Sequence, residues 1–267
     1  MSSGKATPLL VFLLAVPLFC STRLIVTVTE QKTGKPVEDL KAQDFSVLDD
    51  KTPRPVESAE VASGLVDIML LLDTSLAGGM VQPVAANLIS QLQEREQMAV
   101  VSFHSSADLI QDFTSSKQLL ERAVAGVKYG NTPHVLDAVY AAIGDGFQSS
   151  AFRRVVLLLT AGLEGPSRIA DREVVRLARK NSVSIFPIYV VGSERSLFEQ
   201  LARQTGGASF RVSDMKRAGI GQPGPIIFSA LRKHYVLTIS GNLDPSERLK
   251  VTVNRAEKLN ASAMPVE

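Results

Sequence analysis

The stretch Ile68-Met69-Leu70-Leu71-Leu72-Asp73-Thr74-Ser75-Leu76-Ala77-Gly78-Gly79 constrains this chain more than any other. Its apolar part has strand length and does not alternate. A strand with one wet face shows a polar residue at every second position, so this run predicts a strand buried on both faces of a parallel sheet. In open α/β sheets, ligands bind in the crevice beyond the carboxyl ends of the strands. Asp73, Thr74 and Ser75 stand at that end, and the two glycines after them permit a tight turn. The strand therefore aims one carboxylate and two hydroxyls at one point.

The surrounding pattern agrees. Residues 153–160 hold a second continuous apolar run, Val155 to Leu159, ending in Thr160-Ala161-Gly162. Helical spacing marks residues 80–93, 115–127, 135–147, 169–181, 196–204 and 225–233. Short strands are expected at 98–103, 107–113, 184–191 and 208–212. The link between 103 and 107 is too short for a crossover, so those two strands form a hairpin and give the sheet one antiparallel edge. Pro133 suits the first turn of a helix, with Thr132 as its N-cap. Strands alternating with helices imply right-handed crossovers and an α/β, doubly wound, mostly parallel sheet with helices on both faces. Outside 63–234 the texture is β-rich. Segments 22–62 and 235–267 alternate and turn, and neither buries enough alone. They are expected to pack together as a small antiparallel module, as one sheet.

Residues 1–21 read as a signal peptide: Lys5, then an apolar run from Leu9 to Phe19 too short to span a bilayer comfortably, then small or polar residues. The protein is thus expected to be exported, periplasmic or secreted, with no membrane span in the mature chain. Cys20 is the only cysteine, so no intramolecular disulfide or cysteine-based zinc site exists. Phe19 and Pro17 before it are the wrong residues for a lipidation signal, so no lipid anchor is expected. A formal net charge of +2, with scattered cations and no tryptophan, gives no footprint for nucleic acid.

The residues at the strand ends resemble the metal-ion-dependent adhesion site of von Willebrand factor A domains. The family's first motif is Asp-x-Ser-x-Ser; here Asp73 and Ser75 match and Ala77 replaces the second serine. A threonine before a helix supplies another ligand, and Thr132 stands there. The last ligand is an aspartate in a Leu-Thr-Asp-Gly context, and Ala161 replaces it. The resemblance implies a magnesium site built from Asp73, Ser75 and Thr132. Two methyl groups at motif positions cannot coordinate, and magnesium gives up water reluctantly, so no tightly held cofactor is expected. The flanks, Lys-Pro-Val at 35–37, Asp-Phe-Ser-Val at 44–47 and Leu-Arg…Tyr-Val-Leu over 231–237, resemble A-domain-related proteins of Acidobacteria.

No catalytic residues are expected. Ser75 lacks a Gly-x-Ser-x-Gly elbow, the three histidines are far apart in sequence, and no phosphate-binding glycine motif follows a strand. The resemblance implies a non-catalytic adhesion-type module that binds a protein partner through the carboxyl-end face: Leu76, Gly78, Asn131, His134, Leu163 and Glu164. The alternative is a hydrolase or nucleotide-dependent enzyme using the same crevice.

Overall fold

The computed structural model describes residues 21–147, 152–241 and 249–266. The leader expected over 1–21, with Cys20, lies outside them except for Ser21. The elements run β1 (Ser21–Glu30), β2 (Phe45–Asp49), β3 (Thr52–Arg54), β4 (Val56–Ser63), β5 (Val66–Asp73), α1 (Gln82–Ile89), β6 (Gln97–Phe103), β7 (Ala107–Thr114), α2 (Lys117–Ala125) and α3 (Val135–Asp145). Then come β8 (Arg153–Thr160), α4 (Asp171–Lys180), β9 (Val183–Tyr189), α5 (Arg195–Gln204), β10 (Phe210–Arg211), α6 (Val212–Arg217), α7 (Gly224–Arg232), β11 (Lys233–Ser240), β12 (Leu249–Val253) and β13 (Leu259–Val266). Among the described residues, no helix is long and apolar enough to cross a membrane.

The central sheet has the order β10-β9-β8-β5-β6-β7. All its pairings are parallel except β6–β7, which is antiparallel as the short link requires. Each residue of β5 is buried. Its side chains split between two cores: Ile68, Leu70 and Leu72 pack with α1, α2 and α7, while Met69 and Leu71 pack with α3, α4 and α5. Val155, Leu157 and Leu159 of β8 join the first core and Val156 and Leu158 the second. Helices on both faces are why these strands read as continuous apolar runs.

The flanks form two antiparallel sheets, not one. The larger has the order β13-β1-β11-β4 and the smaller β12-β2-β3. They enclose one core that includes Leu24, Val26, Phe45, Val47, Leu237 and Val251. Tyr235 ties them: its ring meets Phe45 edge-on at 5.2 Å, and its hydroxyl accepts the Leu40 amide at 3.0 Å. Two facing sheets bury the inward residues of both, which a single sheet of this size cannot do. Two further elements differ from expectation. α6 follows a two-residue β10 where only a strand was expected. β13 emerges from the weak pattern Leu-Asn-Ala-Ser-Ala-Met-Pro-Val because it completes the pairing of β1.

Arg153, at the start of β8, locks the flanking sheets to the domain. Its Nη1 donates to the Leu231 carbonyl at 2.9 Å, and its Nη2 to the Gly206 carbonyl and the Ser184 hydroxyl at 3.0 Å. Thr27 of β1 also donates to Gly206, at 2.7 Å. The guanidinium lies over the Phe186 ring, and Nη1 is 3.5 Å from Nδ1 of His234 on β11. Burial lowers the Arg153 pKa to about 10. Burial first, and the Arg153 charge second, push the His234 imidazole down to about 4.

His234 is therefore neutral in the folded chain at pH values where the unfolded chain protonates it. The unfolded state binds more protons between these two pKa values, so stability falls as pH drops from about 6.5 toward 4 and levels off below. The loss should approach about 3 kcal/mol. Urea unfolding of the wild type and His234→Gln at neutral pH and near pH 4 should show a smaller decline in the variant. Equal declines would place the acid sensitivity elsewhere.

Candidate functional site

The candidate site is the meeting of three loops at the carboxyl end of the sheet: the turn after β5, the loop entering α3 and the loop leaving β8. Asp73 joins the first and third. Its carboxyl group has no solvent exposure. Oδ1 accepts the Ser75 amide at 2.9 Å, while Oδ2 accepts the Thr160 hydroxyl and the Ala161 amide, each at 2.9 Å. The second loop is sewn on by backbone bonds. The Gly130 amide donates to the Thr74 carbonyl at 2.9 Å, and the Leu76 amide to the Asn131 carbonyl at 3.2 Å. Asn131 takes a left-handed conformation, φ 59°, which asparagine tolerates better than most residues. Tyr129 lies close enough to Asp73 that the aspartate's charge, after burial, raises its phenol pKa.

Two glycines are required by close approach. A Cβ on Gly78 would lie 2.2 Å from the Asp73 carbonyl oxygen. A Cβ on Gly162, where φ is +106°, would lie 2.0 Å from the Val191 carbonyl oxygen. The first turn thus folds tightly back on the strand end, continuing as a short 3-10 turn, Gly78–Met80.

Thr132 is exposed and is not the cap of α3. That helix starts at Val135, and the residue before it, His134, makes no side-chain cap bond. The cap comes from the third loop instead. Glu164 Oε2 accepts the Val135 amide at 3.0 Å, and the Ser167 hydroxyl accepts the Asp137 amide at 3.4 Å. Burial raises the Glu164 pKa, opposed in part by Ser167 and by the amides of Leu136 and Val135. Gly165 packs against the Pro133 carbonyl and the Thr132 methyl, so the second and third loops touch. His134 sits 3.7 Å from Asp137, and its amide bonds the His104 carbonyl.

The donor set at this end is thin. Among the described residues, Ser75 Oγ is buried without a hydrogen-bond partner, as is Glu164 Oε1, while Ala77 and Ala161 carry methyl groups. Among the described residues, no group of three or more His, Cys, Asp or Glu side chains is placed to hold a metal ion. Both Asp73 oxygens already accept protein donors.

Around the sealed carboxylate, large exposed apolar side chains share the surface with exposed Asn131 and Thr132. Leu76 is 83% exposed, and Met80, Tyr129, Leu163 and Val191 are also exposed. All belong to loops at this end. Sequence reasoning selected Leu76 and Leu163 but missed Met80, Tyr129, Val191 and the Asp73 donor Thr160. The signal for Thr160 was its place at the end of the second buried run.

The family model for the von Willebrand factor type A domain matches residues 67–221, which contain all three loops. The chain belongs to this family. Type A domains are, in general, protein-interaction modules. No curated protein sequence matches the chain. Among solved structures it is similar to proximal thread matrix protein 1 from the mussel byssus with a zinc-occupied MIDAS motif, at 19% identity and TM-score 0.54, covering 66% of this chain and 49% of that one. Another structure of the same byssus protein aligns at 18% identity and TM-score 0.54, over 76% of this chain and 50% of that one. The chain thus spans about half the length of these structures, and at such identity the likeness shows the fold.

The geometry gives Asp73 an architectural task that can be measured. In Asp73→Asn, one carboxamide nitrogen must face a backbone or hydroxyl donor in a site closed to water. The variant should lose about 2–4 kcal/mol of stability, from buried donors left unmatched. Chemical denaturation should find the same loss in magnesium and in chelator. A loss confined to magnesium would assign Asp73 to a metal instead.

Proposed function

We propose that this chain is an exported, non-catalytic binding module that takes a protein partner on the carboxyl-end face of its sheet, by apolar contact and without a metal bridge. The observation that carries this reading is the state of Asp73: fully buried, both oxygens committed to protein donors, with exposed leucines on the adjoining loops. Where the family resemblance implies a cation and a partner carboxylate, this chain offers methyls at Ala77 and Ala161 and a rim that includes Leu76 and Leu163. Large apolar side chains clustered on a surface mark interaction sites. Export rests on the leader-like residues 1–21.

The mature chain, immobilised and exposed to envelope extract from its source organism, should retain the same partner in the presence of chelator. The double variant Leu76→Asp with Leu163→Asp should lose it. Capture that disappears with chelator would overturn the metal-free reading. The enzyme alternative is tested with Ser75→Ala, whose lost hydroxyl makes no hydrogen bond among the described residues. Turnover in hydrolase or nucleotide screens that this variant abolishes would replace the binding reading.

The metal question has its own measurement. Thermal melts of the wild type in millimolar magnesium and in chelator should coincide, because ion at a hundredfold over its dissociation constant would add about 2.7 kcal/mol. Ala77→Ser with Ala161→Asp restores the missing oxygens. It also places a second carboxylate beside Asp73 in a site without exposure, and two such charges repel. The double variant should melt below the wild type in chelator and recover in magnesium. A large magnesium shift in the wild type would show that the existing oxygens suffice.

A further inference from the structure

We propose that the free edge of β7 is a strand-addition site for an extended polypeptide that alternates basic and aliphatic residues. This site lies at the side of the sheet and does not depend on the carboxyl-end reading.

β7 ends the sheet, pairing only with β6 among the described residues, and the register of that pairing shifts twice. Its first four residues, 107–110, are all exposed. Leu109 is 59% exposed, one of the largest values for a big apolar side chain here. Beside it runs a groove of about 610 Å3, lined by Met69, Val101, Leu109, Phe113, Ala142 and Gly146 among others. The groove is open because α3 is built from small residues on this side. Ala141, Ala142 and Gly146 line it, and a Cβ on Gly146 would fall 2.1 Å from the Met69 terminal methyl. Among the described residues, α3 contributes only Ala141 and Ala142 to the groove's lining.

The charge on this edge selects the occupant. Between Arg95 and Lys117 the sequence contains no lysine or arginine, yet β7 carries Asp108 and Asp112. Asp108 accepts only the Ser106 hydroxyl at 3.1 Å, and Asp112 only the neighbouring Phe113 amide at 2.7 Å, among the described residues. Two-fold pairing of β7 with a second copy would collect both aspartates of each chain on one short edge with no cation between them, and like charges across strands destabilise pairing. A basic strand satisfies them. Main-chain bonds to the β7 edge would supply affinity, and alternate side chains specificity. In an extended segment successive side chains point to opposite faces, so aliphatic residues meet Leu109 in the groove while basic ones reach Asp108, and Asp112, which also lines the groove, takes a further basic residue.

The probe is a short, blocked, fluorescein-labelled peptide of alternating lysine and valine, with a glutamate–valine peptide as control. Anisotropy should show saturable binding of the first and none of the second, and hydrogen exchange should slow over residues 107–114. Asp108→Lys with Asp112→Lys should weaken binding by about tenfold or more. If that variant fails to fold, Leu109→Ser serves instead, with a several-fold loss expected. N-methylation of the peptide at alternate residues should abolish binding in at least one of its two registers, because a methylated amide cannot join a ladder. Binding indifferent to methylation in both registers would reduce the effect to charge attraction and overturn strand addition. So would the absence of saturable binding, or a dimeric chain whose β7 amides are already protected.

Discussion

The carboxyl end of this domain depends on one side chain. Asp73 binds its own turn through the Ser75 amide and the end of the neighbouring strand through Thr160 and Ala161. Hydrogen bonds to a carboxylate are among the stronger ones, and donors buried away from water are costly to leave unmatched. The loop entering α3 then has a fixed surface to bond, through Thr74 and Leu76. Glu164 closes the circuit by capping α3 from the third loop. Three segments far apart in sequence are thus held in one geometry by hydrogen bonds to buried acceptors.

The side chains at 77 and 161 take no part in these bonds. Ala161 serves Asp73 through its backbone amide, a bond that does not depend on the side chain at this position. Ala77 stands at the base of the turn whose crest is Leu76. Neither replacement disturbs the fold of the loops. The scaffold of these loops rests on Asp73 and on backbone groups.

Much of the fold was legible because the physics that writes the pattern is strong. β5 and β8 are covered on both faces, and their continuous apolar runs are the direct trace of that burial. The antiparallel edge was legible from a link too short to cross the sheet. The weakly patterned parts were not. β13 has few large apolar residues and owes its pairing to β1, so no local signal announces it. The division of the flanks into two sheets rests on a shared core, a non-local fact. At the site, Asp73 and the leucines could be placed from motif and position. The cap on α3 could not, because Glu164 and Ser167 reach it from about thirty positions downstream, whereas Thr132-Pro133 offered a plausible local cap. Propensity gave way there to a tertiary hydrogen bond.

The adjacency of β4 and β11 has a kinetic meaning. Ser63, just before the domain, pairs with Lys233, just after it. The whole type A domain is therefore the loop of a single antiparallel strand pair. Closing so long a loop in an unfolded chain has a high entropic cost, and contacts that span it form slowly. Once the domain has folded, its two ends lie side by side and that cost is already met. Folding should accordingly run from the inside outward, the domain acting as a template on which the flanking sheets zip together. A lesion in the β5 core would then delay strands that never touch it.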